Sequence, residues 1–246
     1  MTNSLYSRRP AFTSPVQQTT LVTVFAALSL ASNYAMIGIV NVKLMDTLVF
    51  LAAFLFGLRI GVGVAVVSWG VYGFINPYGA DDLVLLSFLM AGECFYAIAG
   101  FVLRQTALDK ELLIGKEYAT KTTVVSTSPR TLRGRMAIRV KSLGASLIRV
   151  FQSYGRVTLI FGTAGLLSTF AYDVLTNFAS WLFKTPSLYS ALVIGLVTGA
   201  PFALFHEVSN LLFFATVAPA TIIASRRLGQ SLALERVRPE KSQVVN

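Results

Sequence analysis

The sequence is poor in the residues on which most soluble and catalytic proteins depend. Its 246 residues hold one cysteine, Cys94, and one histidine, His206. A single cysteine permits no internal disulfide, and one Cys with one His makes a zinc or iron site improbable. Charge is scarce too, at 13% of residues against about 25% in an ordinary soluble domain. Only 11 residues are acidic, while 21 are Lys or Arg, a net charge of +10. No Gly-x4-Gly-Lys-Ser/Thr segment is present, so the chain carries no nucleotide motor of its own. His206-Glu207 is not continued into His-Glu-x-x-His. Ser168 or Ser209 could pair with His206, but no protease motif supports either. No cofactor is expected.

What is present is apolar, 54% of the chain. That excess rules against a soluble globule and against disorder over most of the sequence. A membrane-spanning helix takes about 20 mostly apolar residues. Leu21 to Val40, Leu83 to Leu103 and Thr158 to Phe183 satisfy this. Thr47 to Gly57 is apolar but short, and Ile60 to Ile75 follows after Arg59. Leu188 to Ser225 is too long for one crossing. Gly199-Ala200-Pro201 is expected to break it, because proline removes a backbone donor. Ser187 to Thr198 then reads as a short outer segment and Pro201 to Ala224 as the last span.

The fold expected is an all-α integral membrane protein, a bundle of six transmembrane helices with short, tilted second and third spans. Five spans, with the second and third fused as a re-entrant hairpin, or seven, with the outer segment crossing fully, are the alternatives. Lys and Arg gather in cytoplasmic loops. With both termini inside, nineteen basic residues fall on the inner side and only Lys43 and Lys184 on the outer. The net charge thus reads as topology in a cell membrane rather than as a nucleic-acid footprint. The first apolar run continues past Ala31-Ser32-Asn33-Tyr34-Ala35, so it reads as a span rather than a cleaved leader.

Residues 1–20 read as a cytoplasmic segment, 21–225 as the membrane domain and 226–246 as a basic, disordered cytoplasmic tail. Residues 105–155 interrupt the membrane domain as a basic insert. Thr120 to Thr131 within it reads as a linker. Met136, Val140, Leu143, Leu147 and Phe151 then recur at helical spacing among basic residues, an amphipathic helix over 136–151 suited to an anionic leaflet or a partner.

Ionisable groups inside a span cost about 2.5–3.5 kcal/mol each, so they face protein or a cavity. Glu93 lies mid-span in the fourth helix. Asp173 and Asn177 share a face of the fifth, and His206 and Asn210 a face of the sixth. Ser68, Tyr72 and Asn76 form a stripe on the third. The basic partners available to the carboxylates are His206, Lys43 and Lys184. For Asn177 and Asn210 a bond to a neighbouring helix is the equal alternative. Trp69, Trp181 and Tyr78 suit either an interfacial belt or, for Trp69, a pocket wall. Ala27, Ala31 and Ala35 form a flat small-residue stripe on the first helix, of the kind that lets helices approach closely. The stripe faces either this bundle or another subunit.

Taken together, these pieces resemble the S components of energy-coupling factor (ECF) transporters, the membrane subunits that bind a vitamin-like substrate. The residues that carry the resemblance are the alanine stripe, the loop Asn41 to Met45 with its short second span, and the glycine-rich third span Gly61 to Asn76. Ala171 to Asn177, Gly199-Ala200-Pro201-Phe202 and His206 to Asn210 complete them. The last three look most like the branch associated with cobalamin-type and uncharacterised substrates. The resemblance covers residues 20–104 and 156–225, and the long insert departs from it.

It implies a subunit of an ABC-type importer that captures a vitamin or related small molecule at the outer face. It also implies two kinds of partner, a transmembrane coupling subunit docked on Ala27, Ala31 and Ala35 and two cytoplasmic ATPases. Substrate contacts would fall on Asn41, Lys43, Asp46, Trp69, Tyr72, Asn76, Glu93, Asp173, Asn177, His206 and Asn210. The metal-ion branch uses an N-terminal Met-x-His, which Met1-Thr2-Asn3 lacks. Two other readings are an acid/base enzyme acting on a lipid through Asp173, Glu93 and His206, and a proton-coupled secondary transporter with Glu93 and Asp173 as relay carboxylates.

Overall fold

The computed structural model describes residues 14–77, 79–106 and 132–237, with side chains omitted at 132–154, 227 and 229–237. All regular structure among the described residues is helical. There are six such helices: α1 (Pro15–Ala35), α2 (Met45–Phe56), α3 (Leu58–Ile75), α4 (Leu83–Arg104), α5 (Leu132–Trp181) and α6 (Leu188–Val237). Four contain stretches long and apolar enough to cross a membrane: Leu58–Ile75, Leu83–Arg104, Gly155–Trp181 and Leu188–Arg226. The described residues are thus all-helical, with four helices of the length and composition that suit a membrane-embedded protein.

The short helix α2 is the centre of the bundle. At 12 residues it rises only about 18 Å, well under the bilayer's apolar thickness. Every residue from Met45 to Phe54 is buried. A helix that is apolar all round is buried all round, and α2 packs on α1, α3, α4 and α6. Two glycines allow this close approach. A Cβ at Gly61 of α3 would lie 2.5 Å from Ala53, and one at Gly100 of α4 would lie 2.3 Å from the Phe50 carbonyl. Of the glycines in the third span, Gly61 packs on α2, whereas Gly63 faces Val22 of α1 and Gly70 and Gly73 face Met90 and Leu86 of α4. Gly57, at φ +111°, makes the tight reversal into α3, and its N–H caps α2 on Ala53 O. Below the polar end of α2, Phe50 meets Phe161 of α5 and Phe214 of α6 at 5.4 and 4.9 Å between ring centroids, which joins the two halves of the bundle.

Several sequence expectations change. Helix α1 starts at Pro15, capped by the Ser14 side chain on Gln17 N, and ends at Ala35. The first span was expected over Leu21 to Val40; residues 36–40 instead form the turn that enters the α1–α2 connection, and α1 is not among the four long apolar stretches. The break expected at Gly199-Ala200-Pro201 is absent, since α6 runs through both Pro201 and Pro219. A proline in a membrane helix loses one backbone bond, and packing against neighbours holds the helix together. Gly199 serves that packing: a Cβ there would lie 2.3 Å from the Asn177 amide of α5. A separate outer segment is therefore absent too. Helix α5 begins at Leu132, so the backbone of the expected amphipathic helix 136–151 is continuous with the fifth span; the side chains of that stripe lie outside the described residues. Helix α6 continues to Val237, into the segment expected to be a disordered tail. Residues 1–13, Tyr78, the linker 120–131 and residues 238–246 lie outside the described residues.

The two ends of the bundle differ in chemistry. Around the C-terminal end of α2, Arg59 is exposed, Arg226 approaches the Phe54 ring, and a Cβ at Gly57 would meet the Arg104 guanidinium at 3.3 Å. The opposite end carries the polar cluster and the cavity.

Candidate functional site: a carboxylate–histidine network beneath an aromatic cavity

The site begins with Asp46, in the first turn of α2 and completely buried. A buried carboxylate needs donors and a counter-charge. His206 of α6 supplies one: its Nε2 lies 2.6 Å from Asp46 Oδ2. The other ring nitrogen, Nδ1, lies 2.8 Å from Asp173 Oδ1 of α5. A carboxylate only accepts hydrogen bonds, and a neutral imidazole has only one N–H to donate. His206 thus bridges Asp46 and Asp173 through its two ring nitrogens. Asn210, one helical turn below His206, donates to Asp46 Oδ2 at 2.7 Å and to Thr169 Oγ1 at 2.8 Å. Thr169 also accepts from the Tyr96 hydroxyl of α4 at 3.2 Å. One polar network thus ties α2, α4, α5 and α6 together.

Lys43 closes the network from above. Its Nζ lies 3.5 Å from Asp46 Oδ1 and 3.3 Å from the Tyr172 hydroxyl. It also sits 4.4 Å from the Tyr172 ring centroid and 4.9 Å from that of Trp69, a double cation–π arrangement. Trp69 donates its indole N–H to Glu93 Oε2 at 2.9 Å. The partner that Glu93 required is thus an indole rather than a basic residue, while Lys184 stays exposed in the α5–α6 connection. Aromatic contacts continue from Trp69 to Tyr72 and on to Tyr34, with centroids 5.7 and 6.0 Å apart.

Above this network lies a cavity of about 520 Å³, bounded by the α1–α2 connection, α3, α4, α5 and the upper part of α6. That volume suits a small organic ligand. Seven of the eleven residues expected at a binding site line it: Asn41, Lys43, Trp69, Tyr72, Asn76, Asp173 and Asn177. The other four, Asp46, Glu93, His206 and Asn210, do not line it but hold Lys43, Trp69 and Asp173 in place from behind. Asn41, the one non-glycine residue with positive φ among the described residues, donates to the Phe202 carbonyl of α6 at 3.0 Å, which fixes the connection across the cavity. At the rim, Asp81 is half-buried. Desolvation and then the neighbouring Asp82 push its carboxyl above the ordinary range, against the Asn76 amide, which lowers it.

The sequence reading missed Tyr172, Asn33, Thr169 and Tyr96. Tyr172 precedes Asp173, and Thr169 and Tyr96 lie one helical turn from Asp173 and Glu93; that spacing was the available signal. Asn33 was visible as an amide inside an apolar run. The pairing of Ser209 with His206 does not form through the ring: the Ser209 hydroxyl donates to the His206 backbone carbonyl at 2.9 Å. Trp181 donates to Thr198 Oγ1 at 3.1 Å and takes no part in the cavity. The alanine stripe points away from the bundle, with Ala27, Ala31 and Ala35 exposed and Ala26, Ser29 and Asn33 buried on the opposite face. No group of three or more potential metal ligands is found among the described residues. Comparison with protein-family models, with curated proteins and with solved structures finds no match.

Proposed function

We propose that the chain is the substrate-binding S component of an ECF-type importer. It captures a vitamin-like small molecule in the cavity and delivers it inward with ATP hydrolysed on partner subunits. The observation that carries this reading is the cavity itself: an aromatic wall and a few placed polar groups at one end of the bundle, with Arg59, Arg104 and Arg226 gathered at the other. By the positive-inside rule, the basic end faces the cytoplasm and the cavity opens outward, with six crossings of the plasma membrane and both termini inside. The outward alanine stripe supports docking of a coupling subunit on α1, because small side chains permit close helix contact without any partner inside the bundle. The absence of a nucleotide-binding motif agrees with ATPases on separate chains. The triad suits a binding role, since both imidazole nitrogens are engaged by carboxylates and hold the cavity floor rigid.

The test is to purify the chain and identify retained small molecules by mass spectrometry, together with co-purifying subunits. Retention of a vitamin-sized compound and co-purification of a membrane coupling subunit with ATPases are expected. Absence of both sinks the reading.

A further inference from the structure

Helix α5 presents two different faces at the cavity end of the bundle. Tyr172, Asp173, Thr176, Asn177 and Ser180 line the cavity. Phe170, Ala171, Val174, Leu175 and Phe178 line a second recess, a groove of about 680 Å³ completed by Phe95 of α4 and by Leu188, Tyr189 and Leu192 of α6. The chemistry of the groove is the reverse of the cavity's. Of its lining side chains only Tyr189 carries a polar atom. The groove opens on the outer surface of the bundle, where Phe170, Leu188 and Tyr189 are 64%, 66% and 77% exposed.

An empty apolar recess forfeits dispersion contacts along its whole lining, and in a bilayer the neighbour that can restore them is hydrocarbon. The dimensions favour a lipid chain over a protein helix. From Phe170 to Phe178 α5 rises about 12 Å, close to the ~15 Å apolar half of a bilayer. Spread over at least that length, the groove's volume makes a channel at most about 7–8 Å across, narrower than a helix with its side chains. Charge marks the headgroup end. Lys184 stands in the connection between the two helices that line the groove, between Phe178 and Leu188 in the chain. It is exposed and makes no ion pair among the described residues, whereas Lys43 is taken by Asp46. Trp181 and Tyr189 flank Lys184 in the chain, and such side chains favour the headgroup level. An uncommitted cation at the mouth of an apolar channel is complementary to a phosphodiester above an acyl chain.

We propose that a phospholipid of the leaflet at the cavity end seats an acyl chain in this groove and places its phosphate on Lys184. The seated chain braces α5 on the face opposite Asp173 and Asn177. This goes beyond the substrate-binding reading and needs only that the bundle lies in a bilayer.

Native mass spectrometry of the full-length chain in detergent tests it, with palmitoyl-oleoyl phosphatidylglycerol titrated against the matching diacylglycerol, which lacks the phosphate. One phospholipid binds saturably, and diacylglycerol binds more weakly. Val174→Trp fills the groove and abolishes this binding, whereas Leu159→Trp, at an exposed position of α5 away from the groove, leaves it intact. Lys184→Gln raises the half-saturating phospholipid concentration about fivefold, the effect of one basic residue at a headgroup. Because the lipid binds only the folded chain, phosphatidylglycerol raises the unfolding midpoint of the wild type and of Leu159→Trp but not of Val174→Trp. Leu192→Trp fills the groove from α6 and gives the same loss if Val174→Trp fails to fold. Saturable binding that survives both groove-filling variants, or no saturable binding to the wild type, overturns the proposal and leaves the substrate-binding reading standing. Equal binding of diacylglycerol, or an unchanged half-saturation in Lys184→Gln, overturns the phosphate contact.

Discussion

His206 Nε2 lies 2.6 Å from Asp46 Oδ2, which joins the first turn of the central helix α2 to the middle of α6 in a completely buried contact. The two residues are 160 positions apart in the chain. Their contact, continued to Asp173, is the floor on which the cavity rests.

Removing one member of a buried charge network leaves the others uncompensated, typically at a cost of about 3–5 kcal/mol. His206→Ala is therefore expected to lower the thermal unfolding midpoint of the detergent-solubilised protein sharply. The Asp46→Asn/His206→Ala double variant should lose less than the two single losses added together, because neighbours in one network are not additive. Additive losses would show that the two side chains do not act together.

Gly199 tests the packing of α6 on α5. A Cβ at Gly199 meets the Asn177 side chain at 2.3 Å, whereas one at Gly38 meets nothing within 4 Å. Gly199→Ala is expected to cost about 1–3 kcal/mol through overpacking and to weaken ligand binding through Asn177. Gly38→Ala should leave both unchanged. Differential scanning and ligand titration on the two variants check this, and equal behaviour would contradict it.

The sign of a pH effect follows from Asp81. Its carboxyl is raised in the fold by burial and by Asp82. The unfolded chain thus releases this proton first, so stability declines as pH rises from the ordinary carboxylate range, about 4, through the raised value. Asp81→Asn removes that decline. Its unfolding midpoint should exceed the wild type's at pH 7, and the two should converge in acid below the ordinary range. A variant less stable at pH 7 would contradict the assignment.

Ala31→Trp separates the outer face of α1 from the cavity. Ala31 is exposed and away from the cavity lining. Ligand affinity should be unchanged, while co-purification with a coupling subunit is lost. Reduced ligand affinity with an intact complex would place the interface elsewhere.

Much of this was legible in the sequence, for reasons specific to each residue. Asp173, His206 and Asn210 stood out because charge and amides are costly inside apolar runs, and the structure brings them into one network. Lys43 and Asp46 were visible as the charges next to a short apolar segment. What the sequence could not show was that α2 is enclosed by its neighbours rather than facing lipid; enclosure depends on Gly61 and Gly100 of other helices. Pro201 misled for a related reason. Local propensity predicts a break, but Gly199 packs on Asn177 and the helix continues. The side of the alanine stripe was likewise undecidable from a four-residue period alone, since both faces of α1 carry small residues.

The most direct test of the central claim is uptake into vesicles holding the chain with its co-purified coupling subunit and ATPases. The account predicts that uptake of the retained ligand collapses when ATP is depleted at a fixed proton gradient. Uptake that persists without ATP and follows the proton gradient would contradict it, and would recast the Asp46–His206–Asp173 triad as a proton relay.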